Sequence, residues 1–147
     1  MDIHILAIGR NKDKAITSLC DEYIKRLKPH HNINVHEITP KGSQSESEAL
    51  LAKVPDGACL VILDERGELP TTRKFAQWFG AQADTGTRTM AFCIGGADGH
   101  SQQLRDSAHK LLALSKLTFP HMLVRPILLE QLYRATMVLS GHPYHRD

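Results

Sequence analysis

Three side chains with acid–base or ligand-binding chemistry stand next to one another near the carboxyl end of the chain: Tyr144, His145 and Arg146. An imidazole can accept a proton near neutral pH. A phenol can stack on a nucleobase or hydrogen-bond to it, and a guanidinium can hold a phosphate. Terminal residues are usually frayed and solvated, and that is the alternative interpretation. A proline and aromatic rings close together in this tail oppose fraying. His142 and His145 also suggest a metal site, but two histidines alone are weak grounds for one, and we expect no metal.

A second candidate site lies in the segment Leu114–Phe119, which begins apolar and turns polar before Pro120. Proline fixes its own φ and biases the preceding residue away from helical angles, so a strand or loop must end here. Backbone amides exposed at such a corner suit a ligand that needs both hydrogen-bond donors and acceptors. An ordinary strand-to-helix connection would give the same pattern.

A glycine-rich loop follows the apolar run 91–94, with glycines at positions 95, 96 and 99. This pattern indicates a buried strand that feeds a loop where the backbone approaches something closely. A dinucleotide site is not favoured, because the spacing is G-G-x-x-G rather than G-x-G-x-x-G. The acidic residue expected about twenty positions later is also missing, since Lys116 stands near that place.

The composition is that of one globular domain spanning residues 1–147. A net charge of +2 tolerates a polyanionic partner but does not require one. The cysteines lack CxxC spacing, and we expect them to be reduced, buried thiols in a cytoplasmic protein. No apolar stretch reaches membrane-spanning length and the first residues lack a signal-peptide core, so we expect no membrane partner.

Hydrophobic periodicity predicts the elements that must position these residues. Apolar or alternating runs predict strands at 3–8, 33–38, 60–64, 90–94 and 113–117. Helical spacing predicts helices at 16–27, at 49–54 behind a capping box of Ser45 and Glu48, from 70 onward, and at 104–112. Strands that alternate with helices predict an α/β domain with a mostly parallel sheet.

A long last helix is predicted from Val124 to Leu139. It is apolar on more than one face, which is typical of a helix that packs against a second subunit. Pro126 fits this helix if the helix begins within one turn before it.

Together these segments resemble the ribosomal large-subunit pseudouridine methyltransferase H family, the smallest of the SPOUT (trefoil-knot) methyltransferases. The resemblance covers nearly the whole chain, and it is carried by the stretches 5–9, 91–99, 114–121, 124–135 and 142–147. It implies a SPOUT methyltransferase fold: a mostly parallel α/β sheet flanked by helices, with a deep trefoil knot in the carboxyl-terminal third. No periodicity reveals the knot, and ordinary rules of chain connection would forbid it.

The resemblance also implies a reaction, the S-adenosylmethionine-dependent methylation of N3 of a pseudouridine in large-subunit ribosomal RNA, within the assembled ribosome. Tyr144, His145 and Arg146 would carry catalysis, with His145 as the acceptor of the N3 proton. An adenine ring needs apolar packing and backbone groups that read its edge. The residues implied to bind S-adenosylmethionine are Leu63, Gly95, Leu114, Ser115, Lys116, Leu117, Thr118 and Phe119.

Members of this family are homodimers, and the resemblance implies that the tail of one subunit reaches toward the cofactor pocket of the other. Arg125, Gln131 and Arg134 then become candidates for the interface or for substrate positioning. A second interpretation remains open, a non-catalytic RNA-binding or ribosome-associated module with the same fold. Cofactor binding distinguishes the two.

Overall fold

The computed structural model describes all residues, 1–147, and places the strands in one sheet of five parallel strands. The strands are β1 (Asp2–Ile8), β2 (Asn32–Ile38), β3 (Cys59–Glu68), β4 (Thr89–Ile94) and β5 (Lys110–Leu112), in the spatial order β2-β1-β4-β3-β5. The helices are α1 (Lys14–Leu27), α2 (Glu46–Leu51), α3 (Thr72–Asp84), α4 (Gln102–Ser107) and α5 (His121–Ser140). The predicted α/β class with a parallel sheet is confirmed.

The helices that follow a polar loop begin at side-chain caps. Asp13, Ser45, Thr71 and Ser101 each accept a hydrogen bond from a backbone N–H in the first turn of the helix that follows. Each cap satisfies a donor that the helix itself leaves unpaired, which fixes where the helix starts. For α2 the bond runs from Glu48 N to Ser45 Oγ over 3.1 Å, at the position of the predicted capping box.

Helices cover the sheet on both faces, and this explains the nearly continuous apolar runs of its central strands. Helices α1, α3 and α5 lie on one face, over a core that includes Ile5 and Phe92. Helices α2 and α4 lie on the other face, over Leu6 and Ile62. Neighbouring residues of one strand therefore point into different cores.

The predicted fifth strand and the predicted helix before it were both placed wrongly. Helix α4 ends at Ser107, where Ala108 adopts extended angles, and β5 occupies 110–112 rather than 113–117. The reason is pairing with β3, because Leu111 and Leu112 lie opposite Ile62 and Leu63. The leucines of 104–112 have helical spacing, and this local pattern does not show that Leu111 and Leu112 pair with β3.

The prediction that α5 begins within one turn of Pro126 was also wrong. The helix starts at His121 and contains Pro126 as a buried interior residue. Proline has no N–H for the carbonyl four residues earlier, so packing must stabilise the helix here. Helix α5 lies between α1 and α3 and also contacts β4, and these contacts bury Leu128, Leu129 and Leu132. Leu123 and Leu139 of the same helix stay 40% and 49% exposed, and the expected dimer stays a prediction.

The connection between β5 and α5 crosses the carboxyl end of the sheet. Strand β5 lies at one edge, beside β3, whereas Arg125 in α5 donates hydrogen bonds to the carbonyl oxygens of Ile8 and Gly9, at the end of β1. Strands β3 and β4 lie between these two places, so the segment 113–120 passes over their carboxyl ends. The trefoil knot implied for this region stays a prediction.

Candidate functional site

The segment 113–120 and the glycine loop enclose a cavity of about 530 Å³ at the carboxyl ends of β3 and β4. This is the place where open parallel sheets ordinarily bind ligands. Residues that are far apart in sequence meet here, and those implied to bind the cofactor that line it are Leu63, Gly95, Leu114, Ser115, Leu117, Thr118 and Phe119. Lys116 does not line the cavity.

A bulge in β3 forms one wall of this cavity. Leu63 and Glu68 both lie opposite Leu112 of β5, so the four residues between them leave the ladder. Gly67 makes this possible, because a Cβ there would lie 2.6 Å from backbone atoms of Leu111 and Leu112. The bulge brings three charged side chains into the cavity wall, Asp64, Glu65 and Arg66. The sequence gave no role to these residues, although Gly67 beyond an apolar run was a signal of a bulge.

His100 connects the ends of β3 and β4 beneath the cavity. Its Nε2–H donates a hydrogen bond to the carbonyl oxygen of Leu63 over 2.9 Å. Its ring also lies against Gly95, where a Cβ would come within 2.9 Å of the imidazole Cε1. Burial lowers the pKa of His100, so the neutral imidazole is favoured. The absence of a side chain at Gly95 therefore serves this histidine, which the sequence gave no reason to single out.

The glycine loop is held from the face that α2 and α4 cover. Ser101 N donates to Ser47 Oγ over 2.8 Å. The guanidinium of Arg105 donates to the carbonyl oxygen of His100 and lies 3.6 Å from the carboxylate of Asp64. These contacts position the loop before any ligand arrives.

The segment 114–119 carries polar anchors and one exposed apolar side chain. Thr118 Oγ1 donates to Glu65 Oε1 over 3.1 Å, which ties this segment to the bulge of β3. Ser115 Oγ accepts from Leu117 N over 2.9 Å and turns the chain. The side chain of Leu117 is 75% exposed although it lines the cavity. An exposed apolar side chain at a cavity is suited to contact with a ligand ring.

The carboxyl-terminal tail is docked on α5 rather than frayed. Tyr144 Oη donates to Glu130 Oε1 over 3.1 Å, and the Tyr144 ring meets the Tyr133 ring edge-on at 4.8 Å. The guanidinium of Arg134 lies 4.8 Å from the centre of the Tyr144 ring. Burial, and then the nearby Glu130 carboxylate, raise the pKa of Tyr144, so this phenol stays protonated.

His145 uses both of its ring nitrogens inside the tail. Arg134 Nη1 donates to His145 Nδ1 over 3.2 Å, and His145 Nε2–H donates to Asp147 Oδ1 over 3.0 Å. Asp147 in turn pairs with Arg73 at the start of α3. The side chain of Arg146 is exposed and takes part in no hydrogen bond or ion pair in this structure.

The tail residues and the cofactor residues occupy separate places within one chain. The cavity is lined by none of Tyr144, His145 and Arg146. The sequence therefore predicted two clusters of functional residues that a single chain does not bring together.

Arg125, a candidate for the interface or for substrate positioning, is buried within its own chain. Its side chain is only 5% exposed and binds Glu37 in addition to the two carbonyl groups at the end of β1. A hydrogen bond from Asn11 N and then the Arg125 guanidinium lower the pKa of Glu37. Arg125 therefore joins α5 to β1 and β2. Gln131 and Arg134 both donate to the carboxylate of Glu130.

His142 and His145 have no third side chain beside them with which they could form a metal site. No group of His, Cys, Asp or Glu side chains is arranged to hold a metal ion. None of the helices combines the length and apolar character that crossing a membrane requires.

Comparison with known proteins finds methyltransferases. The family described as "Predicted SPOUT methyltransferase" matches residues 1–145. A relative from Deinococcus radiodurans named ribosomal RNA large subunit methyltransferase H is 40% identical over 146 residues, which cover 99% of each chain. One of the same name from Agrobacterium fabrum is 42% identical over 159 aligned positions, again 99% of each chain. A solved structure of a probable methylase family protein from Haemophilus influenzae shares the fold, with a TM-score of 0.58 at 17% identity over 99% of this chain and 70% of that one.

Proposed function

The chain belongs to the SPOUT methyltransferase family, and from that premise we propose that it methylates N3 of a pseudouridine in large-subunit ribosomal RNA with S-adenosylmethionine as the methyl donor. The observation that carries the proposal is the cavity in which Leu63, Gly95 and the segment 114–119 converge. Relatives that match over their full length are named for the large-subunit ribosomal RNA. Cytoplasmic action on the assembled ribosome follows from this proposal.

The cavity fits the proposed cofactor in size and in chemistry. Its volume of about 530 Å³ lies within the range of roughly 300–1,000 Å³ for small-molecule sites. Leu63, Leu114 and Leu117 offer apolar surface for an adenine ring, and the backbone of the segment 114–119 offers donors and acceptors for its edge. S-adenosylmethionine supplies an electrophilic methyl group; the protein's task is to hold it and to position the base.

The base presents a second task, because N3 of pseudouridine carries a proton that must leave before or while the nitrogen attacks. His145 is the proposed proton acceptor, since a neutral imidazole can take a proton near neutral pH. Tyr144 is proposed to contact the base, through its ring or its hydroxyl group. Arg146 is exposed and unpaired, which leaves its guanidinium available for an RNA phosphate or for charge that develops on the uracil oxygens.

A homodimer would bring the two clusters of functional residues together. We propose that the tail of one subunit completes the cavity of the other, because no tail residue lines the cavity of its own chain. The docked, hydrogen-bonded state of Tyr144 and His145 supports a tail with a defined position rather than a loose end.

Calorimetry with S-adenosylmethionine, followed by methylation of purified ribosomes, tests the proposal. We expect binding in the micromolar range, about 8 kcal/mol, and transfer of methyl groups to large-subunit RNA. An intact, folded protein that binds no cofactor would instead favour a non-catalytic RNA-binding module with this fold. Lys53→Met is a matched control for binding, because Lys53 is exposed and lies outside both the cofactor segment and the cavity lining.

A further inference from the structure

Glu130 is the centre of a polar cluster that fixes the tail on α5. Its Oε1 accepts from Tyr144 Oη and from both Nε and Nη2 of Arg134, at 3.1, 2.9 and 2.5 Å. Its Oε2 accepts from Gln131 Nε2 at 2.6 Å. The side chains of Glu130 and Arg134 are 16% and 27% exposed, so this pair is largely shielded from solvent. The guanidinium of Arg134 is therefore held by a bidentate contact that leaves Nη1 directed elsewhere.

The remaining nitrogen of Arg134 determines the chemistry of His145. A guanidinium can only donate, so the 3.2 Å contact from Arg134 Nη1 requires a lone pair on His145 Nδ1. The proton of the neutral ring must then be on Nε2, where Asp147 Oδ1 accepts it at 3.0 Å. Asp147 is in turn held by Arg73 of α3. The cluster thus selects one tautomer of His145 and leaves Nδ1 as its only acceptor.

Arg134 Nη1 and His145 Nδ1 are a donor and an acceptor side by side, and the imide edge of a uracil-type base has the complementary pattern. Such an edge carries N3–H flanked by carbonyl oxygens. If the base enters between the two side chains, N3–H can donate to Nδ1 and a flanking carbonyl can accept from Nη1. The bond that Arg134 and His145 make with each other is then exchanged for two bonds to the base, while the contacts of Arg134 with Glu130 remain.

We propose that Arg134 is a substrate-reading and catalytic residue that acts together with His145 on the imide edge of the target base. This rests on the proposed function of the tail. The N3–H bond breaks, the proton moves to Nδ1 and the electron pair stays on N3. When that pair forms the new bond to the methyl carbon, the bond from this carbon to the sulfur of the donor would break, and its electron pair would leave with the sulfur as S-adenosylhomocysteine. Negative charge that spreads to the flanking oxygen is met by Nη1. The imidazolium that forms keeps its Nε2–H on Asp147.

The tautomer of His145 tests the pairing without any reaction. We expect two-dimensional NMR of the histidine-labelled, intact protein to show neutral His145 with its proton on Nε2 and a bare Nδ1, with the signal assigned through His145→Gln. A proton on Nδ1 would overturn the proposal, because Arg134 would then have no acceptor there. The tautomer of His145 does not depend on whether the protein transfers a methyl group. This test can therefore refute the pairing of Arg134 with His145 without refuting the proposed function.

Single-turnover methylation of ribosomes tests the role of Arg134. Arg134→Met should lower the rate by about 100-fold or more, as expected for loss of a donor aimed at developing charge, with affinity for S-adenosylmethionine unchanged. Arg134→Lys retains the positive charge beside Glu130 but cannot supply both the bidentate contact and Nη1, so it should also be slow. A purely structural ion pair would be rescued by lysine, and a parent-like rate in either variant would overturn the proposal. Arg26→Met is the control. Arg26 lies over the Tyr133 ring and donates to Glu22, but it contacts neither Glu130 nor His145, so its loss should leave the rate unchanged.

Discussion

Gly95→Ala should disturb the protein through His100 rather than through the cofactor alone. A Cβ at position 95 would lie 2.9 Å from His100 Cε1, whereas ordinary carbon contacts begin at 3.4 Å, so the ring must move by about 0.5 Å or more. Such a shift would stretch the 2.9 Å bond from His100 Nε2 to the carbonyl oxygen of Leu63 beyond good hydrogen-bond geometry. Overpacking costs roughly 1–3 kcal/mol and a lost hydrogen bond about 1 kcal/mol. We therefore expect the free energy of unfolding to fall by about 2–4 kcal/mol.

A double-mutant cycle measured by denaturant unfolding separates this cause from others. In the His100→Ala background the space beside position 95 is vacant, so Gly95→Ala should cost less than about 0.5 kcal/mol of stability. If Gly95→Ala costs the same in both backgrounds, the contact with His100 is not the reason for the glycine. Calorimetry on the four proteins adds a second readout. A loss of S-adenosylmethionine affinity that persists in the His100→Ala background would show that the ligand itself also needs the glycine.

Three further predictions concern the tail, the assembly and the pH dependence of stability. His145→Ala should slow single-turnover methylation by about 100-fold or more. Arg146→Ala should chiefly weaken RNA binding and reduce the salt dependence of that binding. Full activity after deletion of residues 144–147 would show that the catalytic residues lie outside the tail. Light scattering at micromolar concentration should give the mass of a homodimer, and a monomer with intact methylation activity would refute the shared site. Burial, followed by the N-terminal ammonium and His30, lowers the pKa of His31 from 6.5 to about 4. Between pH 6.5 and pH 4 the unfolded chain therefore binds more protons than the folded chain. The free energy of unfolding should fall as the pH decreases through this range. His31→Gln should flatten that part of the stability profile, and an unchanged slope in denaturant unfolding between pH 4 and 6.5 would contradict this.

The sequence predicted the sheet well where burial alone determines structure. Strands β1, β3 and β4 contain apolar runs and β2 alternates apolar with polar residues, so periodicity is sufficient to find all of them. Strand β5 is three residues long and exists because Leu111 and Leu112 pair with β3. Pairing between distant segments leaves no local signature, so the strand was placed too late in the sequence.

The sequence predicted which segments line the cavity but not how they are held there. The family resemblance named Gly95 and the segment 114–119, and of these all except Lys116 line the cavity. His100 and the bulge residues 64–67 depend on contacts between separate strands, which spacing along the chain does not encode. Arg125 was a candidate for the interface or for substrate positioning, and its sequence context did not show that its guanidinium is buried against the carbonyl groups of Ile8 and Gly9, more than 100 positions earlier in the sequence.

Mass spectrometry of ribosomal RNA after a single turnover tests the central claim most directly. Purified ribosomes that lack the modification would be incubated with the protein and with S-adenosylmethionine carrying a deuterated methyl group, and the large-subunit RNA digested to nucleosides. The account predicts one labelled nucleoside with the mass and fragmentation of N3-methylpseudouridine, formed by the parent and nearly absent with His145→Ala. Cofactor binding without any labelled nucleoside in the RNA, or label on a base other than pseudouridine, would contradict it.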